Sequence, residues 1–310
     1  MPSRQSSSGA LSTILVGCDL SEGSDHALAR AIGIAKQHQA KLYLVHAQTE
    51  EPGPEAETEN EVARQLGEVS AALRAEEARQ IAERFDRVQA AGVTTEIKTR
   101  VGPPGEVLAE LAVELTADLI VVGTHGRTGI SRFLIGSVAT ATIRHASCDV
   151  LVCRGPGAEA PFSRPLVATD FSPVSTKALA HAAQVSVPGA SLEVLHAWQL
   201  PQGSWGATIL GQARFPWSTV RDAVLTGVKE QAARLEQEVA ALGRPIKIEL
   251  IQGPPASVIT HAAEQGNHDL IAVGAHGHRG VRRLLLGSVA ESTIRHSPCS
   301  VLVVHTATQA

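Results

Sequence analysis

Residues Gly123–His145 read GTHGRTGISRFLIGSVATATIRH, and residues Gly274–His296 read GAHGHRGVRRLLLGSVAESTIRH. Fourteen of the 23 positions are identical at an offset of 151. Composition alone gives about one or two matches, so one unit has been written twice. The register extends outward. Ile14–Asp19 (ILVGCD) meets Pro165–Asp170 (PLVATD), Gly102-Pro103-Pro104 meets Gly253-Pro254-Pro255, and Asp118-Leu119-Ile120 meets Asp269-Leu270-Ile271. Leu44–Ala47 (LVHA) meets Val194–Ala197 (VLHA) at an offset of 150. The halves run over about 11–154 and 163–305, with the Gly/Pro-rich stretch Arg154–Arg164 (RGPGAEAPFSR) read as a linker between them.

Each half alternates short apolar strands with helical patterns. In the first, Thr13–Gly17 is a strand and Ser21–His38 an amphipathic helix opened by Ser21, with Glu22 and Asp25 in its first turn. Lys41–His46 reads as strand, Glu61–Ala91 as a long charged helix and Thr94–Arg100 as an alternating strand. Pro104–Leu115 is a helix with Pro in its first turn, Leu119–Gly123 a strand covered on both faces, Ser137–His145 a short helix and Val150–Cys153 the last strand. The series βαβαβαβαβ forces parallel pairing through right-handed crossovers. Two tandem α/β domains follow, each a doubly wound sheet.

Composition agrees. The 310 residues allow about two domains, and 44% hydrophobic with 19% charged residues is globular. Lys and Arg number 27 against 31 Asp and Glu, for a net charge of −4. That excludes a general nucleic-acid binder, and 3% aromatics leaves few stacking platforms for single strands. Four cysteines make no disulfide framework and read as small buried hydrophobes. No apolar run approaches the ~18 residues of a membrane span. Met1–Ala10 is polar and Ser-rich with no apolar leader core, so a cytoplasmic location is expected.

Open parallel sheets bind ligands at the carboxyl ends of their strands, where the strand order reverses. Asp19, His46-Ala47 and Gly123 all end strands on that edge. Gly123, Gly126 and Gly129 recur every third residue, and Gly136-Ser137 then opens a helix whose free N–H groups and positive dipole end suit an anion. The loop carries Arg127 and Arg132 and no acid; its twin carries Arg279, Arg282 and Arg283 and no acid. Local positive charge on an acidic chain favours a phosphorylated ligand. GxxxxGK[ST], a GxGxxG after strand one, HExxH, paired CxxC and GxSxG are all absent, which removes Walker-type NTPases, dinucleotide enzymes and the common hydrolase and zinc sites.

Gly123-Thr124-His125-Gly126, nine residues, then Gly136-Ser137 fits GxxG-x9-G[ST], as does Gly274-Ala275-His276-Gly277, nine residues, then Gly287-Ser288. This resembles the ATP-binding motif of the universal stress protein family. Asp19 and Asp170 at the end of each first strand resemble that family too, and the likeness covers nearly the whole chain. It implies five-stranded sheets of order 3-2-1-4-5 with helices on both faces, and one ATP, with Mg²⁺, in each half. Carried onto this sequence, Asp19 and Asp170 contact the ribose or adenine side. Ala47 and Ala197, with Val122 and Val273, line the base pocket. Gly123, Gly126, Gly136 and Ser137, and likewise Gly274, Gly277, Gly287 and Ser288, hold phosphates. Val138 and Val289 each add an amide. Cys18 departs from the usual Thr, which stands at Thr169; Gly17 and Ala168 stand where Pro is common; Ala47 and Ala197 replace Val.

The recurring pairs His46/His196, His125/His276 and His145/His296 show no zinc-ligand spacing and read as backbone-orienting or surface residues. Asp118 and Asp269 read as turn caps on the opposite edge. The acidic stretch Glu50–Glu61 reads as a solvated loop, whereas its counterpart Pro201–Ser218 carries Trp205 and Trp217 and reads as an apolar lid or a protein contact. The function that follows is an ATP-binding stress-response sensor or regulator with slow or no hydrolysis and no dedicated catalytic residue. The halves are expected to pack as a pseudo-dimer through Val150–Cys153 and Val301–Val304, and the resemblance implies a further homodimer. The alternatives are an interaction scaffold working through the Trp-bearing loop and an adenylating enzyme. The phosphate loop an adenylating enzyme needs after strand one is replaced here by Cys18-Asp19-Leu20-Ser21-Glu22-Gly23.

Overall fold

Short aliphatic runs bounded by glycine or a carboxylate, each followed by a helix-length amphipathic segment, fold as the alternation requires. The computed structural model describes residues 10–48, 61–124, 135–156, 159–200, 217–277 and 286–305. The chain divides into two units between Pro161 and Phe162.

The first unit comprises β1 (Thr13–Gly17), α1 (Glu22–His38), β2 (Lys41–Gln48), α2 (Glu61–Ala90), β3 (Thr95–Val101), α3 (Pro104–Glu114), β4 (Leu119–Gly123), α4 (Ser137–His145) and β5 (Asp149–Cys153). Its strands lie in the order β3-β2-β1-β4-β5, and the pairs β1–β2, β1–β4, β2–β3 and β4–β5 are parallel. The chain steps from β1 toward β3 on one side and from β4 toward β5 on the other. Right-handed crossovers therefore send α1 and α2 to one face and α3 and α4 to the other. Ile14, Leu15, Leu119, Ile120, Val121 and Val150 are buried between the helical layers, which is why β1 and β4 read as continuous apolar runs. β3 ends the order, and its sequence TEIKTRV is correspondingly polar at five of seven positions. Lys41 reaches Glu96 at 2.7 Å across this margin.

The second unit repeats the design with β6 (Pro165–Ala168), α5 (Pro173–Val185), β7 (Leu192–Trp198), α6 (Trp217–Val239), β8 (Ile246–Gln252), α7 (Pro255–Gln265), β9 (Leu270–Gly274), α8 (Ser288–His296) and β10 (Ser300–Val304). The order is β8-β7-β6-β9-β10, again parallel. Trp217 is the first residue of α6, so the loop read through Ser218 stops sooner; residues 201–216 and the acidic stretch 50–60 lie outside the described residues.

Local chemistry explains the repeated motifs. Gly102 and Gly253 sit at φ 144° and 153°, a region that side chains exclude. Each is followed by a Pro at the cap and a second Pro that opens α3 or α7, so the Gly-Pro-Pro segment is a turn that starts a helix. Asp118 accepts from the Ser12 and Thr13 amides at 2.7 and 2.9 Å, and Asp269 accepts from those of Ser163 and Arg164 at 2.7 and 2.9 Å. Both carboxylates pin the chain as it enters the first strand, on the edge opposite the carboxyl ends of the strands.

Interior charge differs between the repeats. Arg84 of α2 grips Asp25 of α1 through Nε and Nη2 at 2.6 and 2.8 Å. At an offset of 151, Leu235 is buried at the corresponding place and Thr176 stands for Asp25.

The stretch after β5 is held against the first unit. Arg30 donates to the Ala160 carbonyl at 2.6 Å and the Pro161 carbonyl at 3.2 Å, and Arg87 meets Glu159 at 2.8 Å. Phe162, read from the sequence as linker, is fully buried in the second unit and bridges Ser186. Gly33 of α1 permits this docking, because a Cβ there would stand 2.4 Å from the Ala160 nitrogen. Replacing Gly33 with Val should therefore cost about 1–3 kcal/mol in urea unfolding and expose the chain around Ala160 to limited proteolysis; an unchanged unfolding curve and cleavage pattern would refute the docking role.

Candidate functional site

The order reverses at β1 in the first unit and at β6 in the second. There the outgoing chain leaves toward opposite faces, and a gap opens above the strand ends. A cavity of about 710 Å³ fills the gap in the first unit and one of about 520 Å³ in the second.

Their floors are built alike. Beyond β1 the Cys18 amide donates to the Val45 carbonyl at 2.8 Å, and beyond β6 the Thr169 amide donates to the Leu195 carbonyl at 2.9 Å. Asp19 Oδ1 accepts from the Ser21 amide at 3.0 Å, and Asp170 Oδ1 from the Ser172 amide at 3.0 Å. The residue inside each of these small loops, Leu20 at φ 67° and Phe171 at φ 62°, is left-handed. Side-chain-bearing residues pay for that conformation, and it persists where surrounding bonds over-determine it. The serines then cap the next helix: Ser21 Oγ accepts from the Ser24 amide at 3.2 Å, and Ser172 Oγ from the Ser175 amide at 3.4 Å.

Thr169 and Cys18 do the same work with different atoms. Thr169 Oγ1 accepts from the Phe171 amide at 2.9 Å. Burial pushes the Cys18 thiol up, and the Leu20 amide draws it partway back. Burial also pushes the thiols of Cys148 and Cys153 up to about 12, in keeping with cysteines that serve as small apolar side chains.

His46 and His196 stand behind these turns. Nδ1 of His46 lies 2.8 Å from the Cys18 carbonyl, and Nδ1 of His196 lies 2.8 Å from that of Thr169. A carbonyl only accepts, so Nδ1 carries the proton in both rings. Burial lowers the His196 pKa, outweighing the upward pull of the Thr169 carbonyl and of Asp170. At the far end of α8, His296 Nδ1 lies 2.9 Å from the Ser292 carbonyl. His46, His196 and His296 thus orient backbone, whereas His276 does not. Nε2 of His276 is buried in the wall of the second cavity and has no hydrogen-bond partner among the described residues.

The opposite wall is made by α4 or α8. Gly136 and Gly287 are their caps, and neither helix has a side-chain cap, unlike α1 and α5. The Gly136 amide donates to the Thr124 carbonyl at 2.7 Å, and the Gly287 amide to that of Ala275 at 2.8 Å. The first-turn amides of α4 and α8 have no intrahelical acceptor, and both first turns border the cavities.

Asp19, Ala47, Val122, Gly123, Gly136, Ser137 and Val138 all border the first cavity. Asp170, Ala197, Val273, Gly274, Gly277, Gly287, Ser288 and Val289 border the second. Gly126, His125 and the loop arginines of both repeats lie outside the described residues. Two glycines have packing reasons the sequence did not disclose: a Cβ on Gly123 would lie 2.6 Å from the Gly23 carbonyl oxygen, and one on Gly274 would lie 2.7 Å from Val174. They let the helix after the first strand close on the fourth. Gly277 lies where a Cβ would meet Asp170 Oδ2 at 2.5 Å.

The sequence reading did not single out Pro104 and Leu108 of α3, Pro255 and Ile259 of α7, or Gln48, Arg74 and Glu77, all of which border the cavities. The Gly-Pro-Pro repeat pointed to the first group. Nothing in the charged pattern of α2 set Arg74 and Glu77 apart. Among the described residues, no three His, Cys, Asp or Glu side chains are grouped as metal ligands, and no helix is long and apolar enough to cross a membrane.

Fold and site together define a tandem α/β protein with a cavity at the switch point of each sheet. The family model described as the universal stress protein family matches residues 11–154 and 161–305, and the chain belongs to that family. Over 163 residues it is 34% identical to a protein named as a universal stress protein in Staphylococcus aureus strain USA300, covering 50% of this chain and 91% of that one. The crystal structure of a universal stress protein from Archaeoglobus fulgidus DSM 4304 is similar with a TM-score of 0.61 at 22% identity, covering 94% of this chain and 98% of that chain. A structure from Pseudomonas aeruginosa UCBPP-PA14, also named for this family, aligns with a TM-score of 0.57 at 19% identity over 96% and 94% of the two chains.

The lowered His196 pKa carries a pH signature. The folded ring holds its proton less tightly than the unfolded one, whose pKa is about 6.5. Its contribution to stability is therefore complete above about pH 6.5 and is lost as the pH falls toward the folded value. In an NMR titration the His196 ring should titrate below about 6.5, and His196→Asn should flatten the acid limb of the stability curve. A normal or raised midpoint would refute the lowered His196 pKa.

Proposed function

We propose that the chain binds ATP in each repeat and serves as a stress-response sensor or regulator that hydrolyses ATP slowly or not at all. The observation that carries this reading is the contrast between helix ends. The helix after the first strand is capped by its own serine in both repeats. The helix after the fourth strand has no side-chain cap in either repeat, and its first turn, with a serine, borders a cavity at the switch point. An uncapped helix start in a concave site favours a phosphate group.

The remaining residues fit a nucleotide. Gly136, Ser137 and Val138, and in the second repeat Gly287, Ser288 and Val289, meet the phosphates, with Gly123, Gly126, Gly274 and Gly277 giving the loop its shape. Ala47 with Val122, and Ala197 with Val273, form the apolar walls on which a base rests. Asp19 and Asp170 keep a carboxylate at the base of each cavity for the ribose or adenine. The orphaned Nε2 of His276 accepts a hydrogen bond from a ligand hydroxyl or amine once its Nδ1 carries the proton. Mg²⁺ needs few protein ligands when phosphates supply the others, so it accompanies ATP here. In this reading 11–154 and 163–305 are the two binding domains.

Calorimetric titration of nucleotide-stripped protein with MgATP tests the proposal. Two equivalents should bind, and Gly136→Val or Gly287→Val should each abolish one, because a branched side chain there fills the approach to the helix amides. Absence of ATP binding at millimolar concentration, or two equivalents retained in both variants, would overturn it. Rapid phosphate release would overturn the regulatory assignment alone.

A further inference from the structure

The two cavities share their floor and their helix-end wall but differ at the far end. In the first repeat the wall continues past β1 to Gln48 at the end of β2, Val101 at the end of β3, and Arg74 and Glu77 on α2. α2 packs against β3. Among the described residues, none of β8 or α6 borders the cavity of the second repeat, although α6 packs against β8 as α2 does against β3.

The helices can be aligned position by position. Ile81 and Val88 are buried on α2, and Ala232 and Val239 are buried on α6 at the same offset of 151. That register places Leu225 where Arg74 stands and Val228 where Glu77 stands. At the offset of 150 that aligns β2 with β7, Trp198 stands where Gln48 does. The first repeat thus presents a guanidinium, a carboxylate and a carboxamide at its cavity, where the second has three apolar side chains that do not border its own.

Sheet order says which part of a ligand meets them. α4 begins beyond β4, and the order runs β4-β1-β2-β3. The polar group at β2, β3 and α2 therefore lies up to three strand spacings, about 14 Å, from the helix end. A nucleotide with its phosphates on α4 directs its base toward Gln48, Arg74 and Glu77. Arg only donates, a carboxylate only accepts and Gln does both. Nucleobases differ chiefly in the donors and acceptors on their edges. Arg74 and Gln48 are exposed and Glu77 is half-buried, so a mismatched base forfeits the bonds it would make to this edge, whereas a site without a polar edge has none to forfeit.

We infer that the two sites are unequal readers of the base: the first selects among nucleoside triphosphates through Arg74, Glu77 and Gln48, and the second accepts them with little discrimination. This rests on the nucleotide reading above.

Dissociation constants for ATP, GTP, CTP and UTP, measured on full-length Gly287→Val for the first site and Gly136→Val for the second, test it. At the first site the best and worst nucleotides should differ by about tenfold or more, and at the second by no more than about threefold. Arg74→Leu with Glu77→Val, added to Gly287→Val, should collapse the first site's range to that of the second. Amide shifts of Val138 and Val289 in the otherwise unaltered chain give the same ratios without the glycine substitutions. Equal ranges at the two sites, or an undiminished first-site range in the Arg74/Glu77 variant, overturn this inference while leaving ATP binding standing. Failure of every nucleotide to bind overturns both.

Discussion

The first strand of each repeat has a neighbour on either side that belongs to a different run of crossovers, and the architecture of both sites depends on that placement. Because β1 pairs with β2 and with β4, the helices that follow these strands leave for opposite faces of the sheet. The backbone above β1 is covered by neither. A parallel sheet must bury both faces, yet it cannot close its carboxyl edge where the order reverses. The cavities are therefore consequences of topology before any side chain is chosen, and the side chains decide only what may occupy them.

What they decide is how each exposed group of backbone amides is satisfied. The chain leaving β1 turns through one left-handed residue, is tied by an aspartate to a serine, and enters a helix whose first amides that serine covers. The chain leaving β4 reaches its helix through glycine and supplies no such cover. One helix start is closed and the other open on the same rim. Strain at Leu20 and Phe171 belongs to the closed one. It is tolerated because the aspartate and serine bonds, together with the histidine that donates to the preceding carbonyl, leave that backbone no other path.

Much of this was legible in the residues. Strand and helix limits in the first repeat fall within about one or two positions of the periodicity, because buried parallel strands are short aliphatic blocks and the helices carry their own Ser, Pro and Gly punctuation. The rim residues were legible because the chain wrote them twice. Other features were not. Phe162 sits among Pro, Ser and Arg, where one aromatic has no period to declare its burial. Gly123 and Gly274 read as ligand approaches, whereas the neighbours that forbid a side chain are Gly23 and Val174, about 100 residues away in sequence. Arg74 and Glu77 belong to a helix that is charged on nearly every turn, and only the placement of α2 against β3 separates residues that face a cavity from those that face water.

The grip of Arg84 on Asp25 has no counterpart in the second repeat, where Leu235 and Thr176 occupy the two places. Each interior has settled on its own solution to joining the first two helices, one ionic and one apolar. Exchanging α2 for α6 would set a leucine against Asp25 in one half and a guanidinium against a threonine in the other. Crossing-over between the halves of the gene would thus yield chimeras with mismatched interiors. The duplication has become a fixed pair whose members can no longer trade parts.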